Sequence, residues 1–209
     1  MKKIIFDLDN TLLFLSEEWT NYYQDFIDKY KLSITPNDLF TTFGKIEKKI
    51  ANKRMTKKVL IEFVSNSLAI TFTEEMLDDF HTFYLNIPLL DIDTTYDTLS
   101  YLSKSYELIA YSNWFTDNQI NRLKKHNLYH FFKIVYGGDI LPIKPSIKGI
   151  KSIVKNNNIE EYTFIGDSIE IDLKLPNELG MNTILLNRKH IKQDKYPEIY
   201  NLEELKDIL

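Results

Sequence analysis

From residue 91 onward, short aliphatic runs alternate with helical stretches, and this pattern restricts the fold more than any other feature of the chain. Residues 106–111, 133–136, 162–165 and 183–186 read as strands. Between them, 94–103, 116–127 and 146–156 read as helices, and Pro176 opens a short one that Gly180 ends. Strands alternating with helices of about 10–15 residues predict right-handed βαβ units and a parallel sheet. A further apolar run, 2–8, has the continuous hydrophobicity of a strand buried on both faces. The expected fold is a doubly wound, Rossmann-like α/β sheet with strand order 3-2-1-4-5.

The segment between the first strand and the rest follows another grammar. Residues 17–30 place Trp19, Tyr22, Tyr23, Phe26, Ile27 and Tyr30 at helical spacing. Thr35 reads as an N-cap with Pro36 in the first helical position, and 56–68 and 73–85 are each opened by a Thr. Successive helices with no strand between them predict an inserted bundle. The expected division is an α/β core of 1–14 and 89–209, with a helical cap of 15–88. Residues 201–209 read as a short amphipathic helix closing the core.

Composition removes several classes of function. The chain has no Cys, which excludes a disulfide scaffold, a thiolate zinc site, an iron–sulfur cluster and a cysteine nucleophile. Its net charge of -4 argues against a nucleic-acid polymer as partner. No apolar run reaches the roughly 18 residues of a membrane span, and the N-terminus lacks a signal-peptide hydrophobic region. A cytoplasmic protein, monomeric or weakly dimeric, is the expectation. Arg is scarce beside Lys, a bias read here as carrying no functional information.

Ligands of such sheets bind outside the C-terminal strand ends. The first strand ends in Asp7-Leu8-Asp9-Asn10-Thr11 and the second in Ser112-Asn113. Lys144-Pro145 follows the third, and the fourth ends in Gly166-Asp167-Ser168, with Asp172 five residues after Asp167. Asp7, Asp9, Asp167 and Asp172 cannot all ionise side by side without a cation. An all-oxygen cluster open on one side suits Mg²⁺, which keeps waters and accepts a phosphate oxygen. Lys144 adds positive charge. A carboxylate attacking a dianionic phosphate needs both to offset the repulsion.

Taken in order, Asp7-x-Asp9-x-Thr11-Leu12, Ser112-Asn113, Lys144-Pro145 and Gly166-Asp167-Ser168-x-x-x-Asp172 resemble the four motifs of the haloacid dehalogenase superfamily. The resemblance covers nearly the whole chain, and the spacing leaves room for a cap between the first two motifs. It implies that Asp7 is the nucleophile, forming an aspartyl-phosphate. Asp9 then protonates the leaving group and activates water, and its backbone carbonyl contacts the metal. Ser112 and the Asn113 backbone hold the phosphoryl group, with Thr11 shaping the loop. Lys144 bridges nucleophile and phosphate. Asp167 binds Mg²⁺ directly, and Asp172 directly or through water. Dehalogenases of this superfamily lack the second acid, so Asp9 favours phosphate-ester hydrolysis.

Two positions depart from the pattern. The family usually has Gly-Ala where Leu175-Pro176 stands, with Pro176 expected to open the helix. Trp114 replaces a smaller or charged residue and is expected to narrow the site. The aromatic stripe 19–26 reads as bundle core. Lys45, Lys48, Lys49, Lys53, Arg54, Lys57 and Lys58 read as a solvated face, or as supplying one or two cations near 52–56 for an anionic substrate. His81, His126, His130 and His190 lack paired metal-ligand spacing. The leading function is a Mg²⁺-dependent phosphatase acting on a small phosphorylated metabolite, with sugar phosphates, phosphoglycolate and nucleoside monophosphates as candidates. A phosphomutase of the β-phosphoglucomutase type and a catalytically silent binding protein on the same fold are the alternatives.

Overall fold

A computed structural model of the protein describes residues 2–209. Met1, part of the expected 1–14 segment, lies outside the described residues. Strand β1 (Lys3–Phe6) is followed by the short β2 (Phe14–Leu15). Helices α1 (Trp19–Lys29), α2 (Pro36–Ile50), α3 (Lys57–Leu68) and α4 (Glu74–Asn86) come next, then β3 (Leu89–Leu90). The remainder runs α5 (Ile92–Leu102), β4 (Glu107–Tyr111), α6 (Thr116–Lys125), β5 (Phe132–Tyr136), α7 (Ile147–Val154) and β6 (Tyr162–Gly166). It closes with α8 (Lys174–Glu178), β7 (Asn182–Leu186), β8 (Glu198–Ile199) and α9 (Leu205–Ile208).

The main sheet has the order β5-β4-β1-β6-β7-β8 and every pairing is parallel. This is the expected 3-2-1-4-5 order with β8 added at one edge. β8 is two residues long and carries no periodic signal of its own. Side-chain alternation explains the two-sided burial. Ile4 and Phe6 join a cluster with Leu99, Leu102, Leu123 and Leu205, whereas Ile5 joins Ile150, Ile153 and Val154. Helices α5, α6 and α9 therefore cover one face of the sheet and α7 the other.

The insert has its own apolar centre, in which Phe26, Leu60, Val64, Leu77 and Phe80 are buried. Burying each such side chain contributes about 1.5–3 kcal/mol. Tyr23 and Phe26 join this core, with Trp19 and Tyr22 packed at its edge. Its helices begin where the sequence says. Thr35 accepts from the Asp38 amide in a reciprocal capping box, and Thr56 and Thr73 cap α3 and α4. The two chain crossings between insert and sheet pair as an antiparallel ribbon, Phe14 with Leu90 and Leu15 with Leu89.

Pro176 occupies the third position of α8 rather than the first. A π-helical turn, Ile169–Leu173, precedes it, and the Lys174 amide bonds the Ile169 carbonyl. The wider turn accommodates a proline ring that would crowd a regular α-helix at the Asp172 carbonyl. Among the described residues, no helix is long and apolar enough to cross a membrane.

Candidate active site

The end of β1 puts Asp7 at the centre of the parallel sheet, where its amide donates to the Ile165 carbonyl of β6 at 2.9 Å. The chain then turns tightly, with Asn10 at positive φ and the amides of Thr11, Leu12 and Leu13 all directed at the Leu8 carbonyl. That turn carries Thr11 back under Asp7. Its enclosed hydroxyl donates to Asp7 Oδ2 at 3.0 Å.

Lys144 is buried and bridges two acids. Its Nζ donates to Asp7 Oδ1 and, at 2.7 Å, to Asp172 Oδ1. The second Asp172 oxygen accepts from the Ser168 amide at 3.1 Å. Asp172 lies so close to β6 that a Cβ on Gly166 would stand 2.6 Å from its carboxylate, so glycine is required there by space. Asn113 Oδ1 accepts from the Lys144 amide at 2.7 Å, which ties the end of β4 to the lysine segment. Ser112 Oγ accepts from the Trp114 amide at 3.1 Å.

One oxygen each of Asp7, Asp167 and Asp172 lies within 4.8 Å of the others, with Asp167 on the exposed side. A cleft of about 360 Å³, lined by Asn10, Phe14, Asp167, Arg188 and Lys189 among others, reaches the cluster from that side. The charges do not balance on protein groups alone. Burial, reinforced by Asp172 and Asp167, raises the Asp7 carboxyl well above its usual range despite Lys144. Desolvation and Asp172 push Asp167 up to about 7. Burial would strip the Lys144 proton, but Asp172 and Asp7 hold it firmly in place. A hard divalent cation fits this donor set: three carboxylates, all oxygen, open on one side and one cation short.

Asp9 is turned elsewhere. Its carboxylate accepts from Gln119 Nε2 at 2.6 Å, from Arg122 Nη1 and, at 3.0 Å, from the hydroxyl of Tyr84 in the insert. Burial raises this carboxyl, but Arg122, Gln119 and Tyr84 outweigh it and hold the group below its ordinary value. None of these three partners was expected from the sequence.

The insert reaches the site through α2 and the loop after it. Backbone bonds join Asn52 to Ile143, Ile143 to Lys53 and Met55 to Gly138, at 3.1, 2.9 and 2.7 Å. Phe43 packs edge-on against Trp114 at 5.4 Å, so the Trp114 ring is engaged by the insert. Of the basic run, Lys45, Lys48, Lys49, Lys53, Arg54 and Lys58 are exposed, and Lys57 pairs with Glu74 and Asp78. The inward charge on α2 is instead Glu47, half-buried on the side of Asn113 and Lys144. Burial raises its carboxyl against the pull of Lys144.

Residues 4–186 match the family described as haloacid dehalogenase-like hydrolase. The pyrimidine 5′-nucleotidase PynA of Streptococcus pneumoniae is 28% identical over 225 residues, covering 100% of this chain and 94% of that protein. The HAD-hydrolase YfnB of Bacillus subtilis is 29% identical over 126 residues, 56% of this chain and 54% of its own. A magnesium-bound crystal structure of YfnB superposes with a TM-score of 0.80 at 22% identity, covering 99% of this chain and 97% of that one. A 2-haloacid dehalogenase from Pseudomonas syringae shares the fold with a TM-score of 0.71 at 18% identity, covering 100% and 98%. The chain belongs to the haloacid dehalogenase-like hydrolases.

Proposed function

We propose that the protein is a Mg²⁺-dependent phosphatase that hydrolyses a small phosphorylated metabolite through an aspartyl-phosphate on Asp7. The observation that carries this reading is the convergence on Asp7 of Lys144, Asp172 and Asp167, with a second acid, Asp9, two residues away. Thr11 and Lys144 fix both Asp7 oxygens, which aims the nucleophile. Asp7, Asp167 and Asp172, with the Asp9 backbone carbonyl, would hold Mg²⁺. Bound there, the ion supplies charge neutralisation for a phosphate dianion approaching a carboxylate.

In the first half-reaction an Asp7 oxygen bonds phosphorus as the bond to the leaving oxygen breaks. Asp9, which first takes up a proton from solvent against the pull of Arg122, gives that proton to the leaving oxygen. In the second half-reaction Asp9 takes a proton from water, which attacks the acyl-phosphate and frees Asp7. Ser112 and the Asn113 backbone, beside Lys144, would hold the phosphoryl oxygens. Thr11 is fully enclosed, so its part is to orient Asp7 rather than to touch the substrate. We assign 15–88 as a cap that excludes water during these steps. Asp9 also favours a leaving group that needs a proton, which a halide does not.

Glu47 narrows the substrate. A carboxylate facing the phosphoryl pocket repels acidic leaving groups and accepts hydroxyl donors. This favours nucleoside or sugar monophosphates over phosphoglycolate, in line with the nucleotidase activity of PynA. The test is a panel of uridine and cytidine 5′-monophosphates, ribose 5-phosphate, phosphoglycolate and p-nitrophenyl phosphate, with and without chelator. The expected result is turnover that disappears with chelator, returns with Mg²⁺, and is lowest on phosphoglycolate. Turnover indifferent to chelator would overturn the metal assignment, and a preference for phosphoglycolate would overturn the role of Glu47.

A further inference from the structure

Asp9 is the group whose placement decides both proton transfers on the phosphatase reading, yet strand β1 and its turn do not fix its side chain. Three side chains from other elements do. Gln119 and Arg122 lie three residues apart on α6, on one helix face, and both are buried although polar. Gln119 Nε2 donates to Asp9 Oδ2 at 2.6 Å and to Ser112 Oγ at 2.8 Å, while its Oε1 accepts from Arg122 at 2.9 Å. The amide therefore spans Asp9, the arginine and a residue of the phosphoryl pocket. Arg122, 3% exposed, donates to Asp9 Oδ1. Tyr84 comes from α4 in the insert and reaches the same oxygen at 3.0 Å. Its ring centroid lies 4.4 Å from the guanidinium, a cation–π contact.

Helix packing alone does not account for this arrangement. An apolar side chain would fill the Arg122 position without the desolvation that a buried guanidinium carries. Arg122 Nη2, moreover, finds no partner among the described residues. The charge is spent on Asp9, and the neighbouring groups are aligned to it.

We propose that Tyr84, Gln119 and Arg122 are positioning residues that hold the Asp9 carboxyl beside the phosphoryl pocket, and that Tyr84 makes this hold depend on the insert being seated on the core. The inference rests on the phosphatase reading. Its consequence is a dependence on the leaving group. When phosphorus passes to Asp7, the proton from Asp9 goes to the departing oxygen. An aryl oxide departs with little help, whereas an alkoxide requires the proton. A displaced Asp9 therefore impairs alkyl esters far more than aryl esters. General misfolding or a looser phosphate pocket lowers both alike.

The experiment measures kcat/KM for wild type, Tyr84→Phe, Arg122→Met and Arg122→Lys on p-nitrophenyl phosphate and on the fastest alkyl ester of the panel, with thermal melting of each variant. Tyr84→Phe is expected to lower the alkyl value about 10-fold and the aryl value less than about 3-fold. Arg122→Met is expected to widen that gap further, and Arg122→Lys to recover part of the loss. Equal factors on both esters, or no loss, overturn the positioning role. Tyr84→Phe removes one hydroxyl and decides the matter if Arg122→Met does not fold. Wild type that cleaves neither ester with Mg²⁺ overturns the phosphatase reading and this inference together. Wild type that cleaves both, with parallel losses in the variants, overturns only the inference.

Discussion

Lys144 shows how much a single residue carries. It bridges two buried carboxylates at once, those of Asp7 and Asp172, and offsets part of their charge. A methionine would fill similar volume but leave both acids uncompensated in a desolvated site. Lys144→Met is therefore expected to destabilise the metal-free protein by about 3–5 kcal/mol, read from urea unfolding. A change below about 1 kcal/mol would contradict the described pairing. Lys144 and the four aspartates are legible in the sequence because each follows an aliphatic run that reads as a strand, and strand ends converge. Arg122, Gln119, Tyr84 and Glu47 are not legible, because they act from helix faces, where a polar residue reads as solvent-facing. One signal does exist for Arg122. Only three of the 26 basic residues are Arg, and two of them, Arg122 and Arg188, stand where a planar cation makes contacts that a lysine would not. The scarcity read as uninformative thus has content: Arg122 holds Asp9, and Arg188 pairs with Asp91 over the Phe14 ring.

At the scale of elements, α4 joins the insert to the core through more than Tyr84. His81 lies edge-on to Trp114 and Phe115, at 5.6 and 5.5 Å. Burial pushes its imidazole down to about 4 from an ordinary 6.5, although Asp78 pulls the other way. The unfolded chain binds more protons than the folded one between those values. The His81 contribution is full above about pH 6.5, is lost as pH falls through this window, and levels off below about 4. Wild type is expected to lose about 1–3 kcal/mol more than His81→Leu between pH 7 and pH 4.5, measured by chemical unfolding. Equal losses would contradict it. The helices of the insert were readable because Thr caps and 3.6-residue periodicity agree. The π turn and β8 were not. A one-turn widening leaves no periodic trace, and two residues cannot show alternation.

At the scale of the molecule, the sheet carries Asp7, Asp9 and the carboxylate cluster at its strand ends, and the insert packs beside them through Tyr84 and the loop after α2. The two parts are joined by the ribbon of β2 and β3 and meet again where 52–55 bonds to 138–143. Between those junctions lie Asp7, Asp9, Lys144 and the carboxylate cluster. On the proposed mechanism, hydrolysis requires a phosphoryl group to reach Asp7 and the site to close over it. The account as a whole stands on Asp7 being the attacking group. Its most direct measurement is Mg²⁺-dependent turnover of p-nitrophenyl phosphate by wild type and Asp7→Asn, both confirmed folded by thermal melting. The expected result is turnover by wild type and a fall of at least about 1000-fold in the variant, since an amide cannot form the acyl-phosphate. Turnover by Asp7→Asn at the wild-type rate would contradict the mechanism.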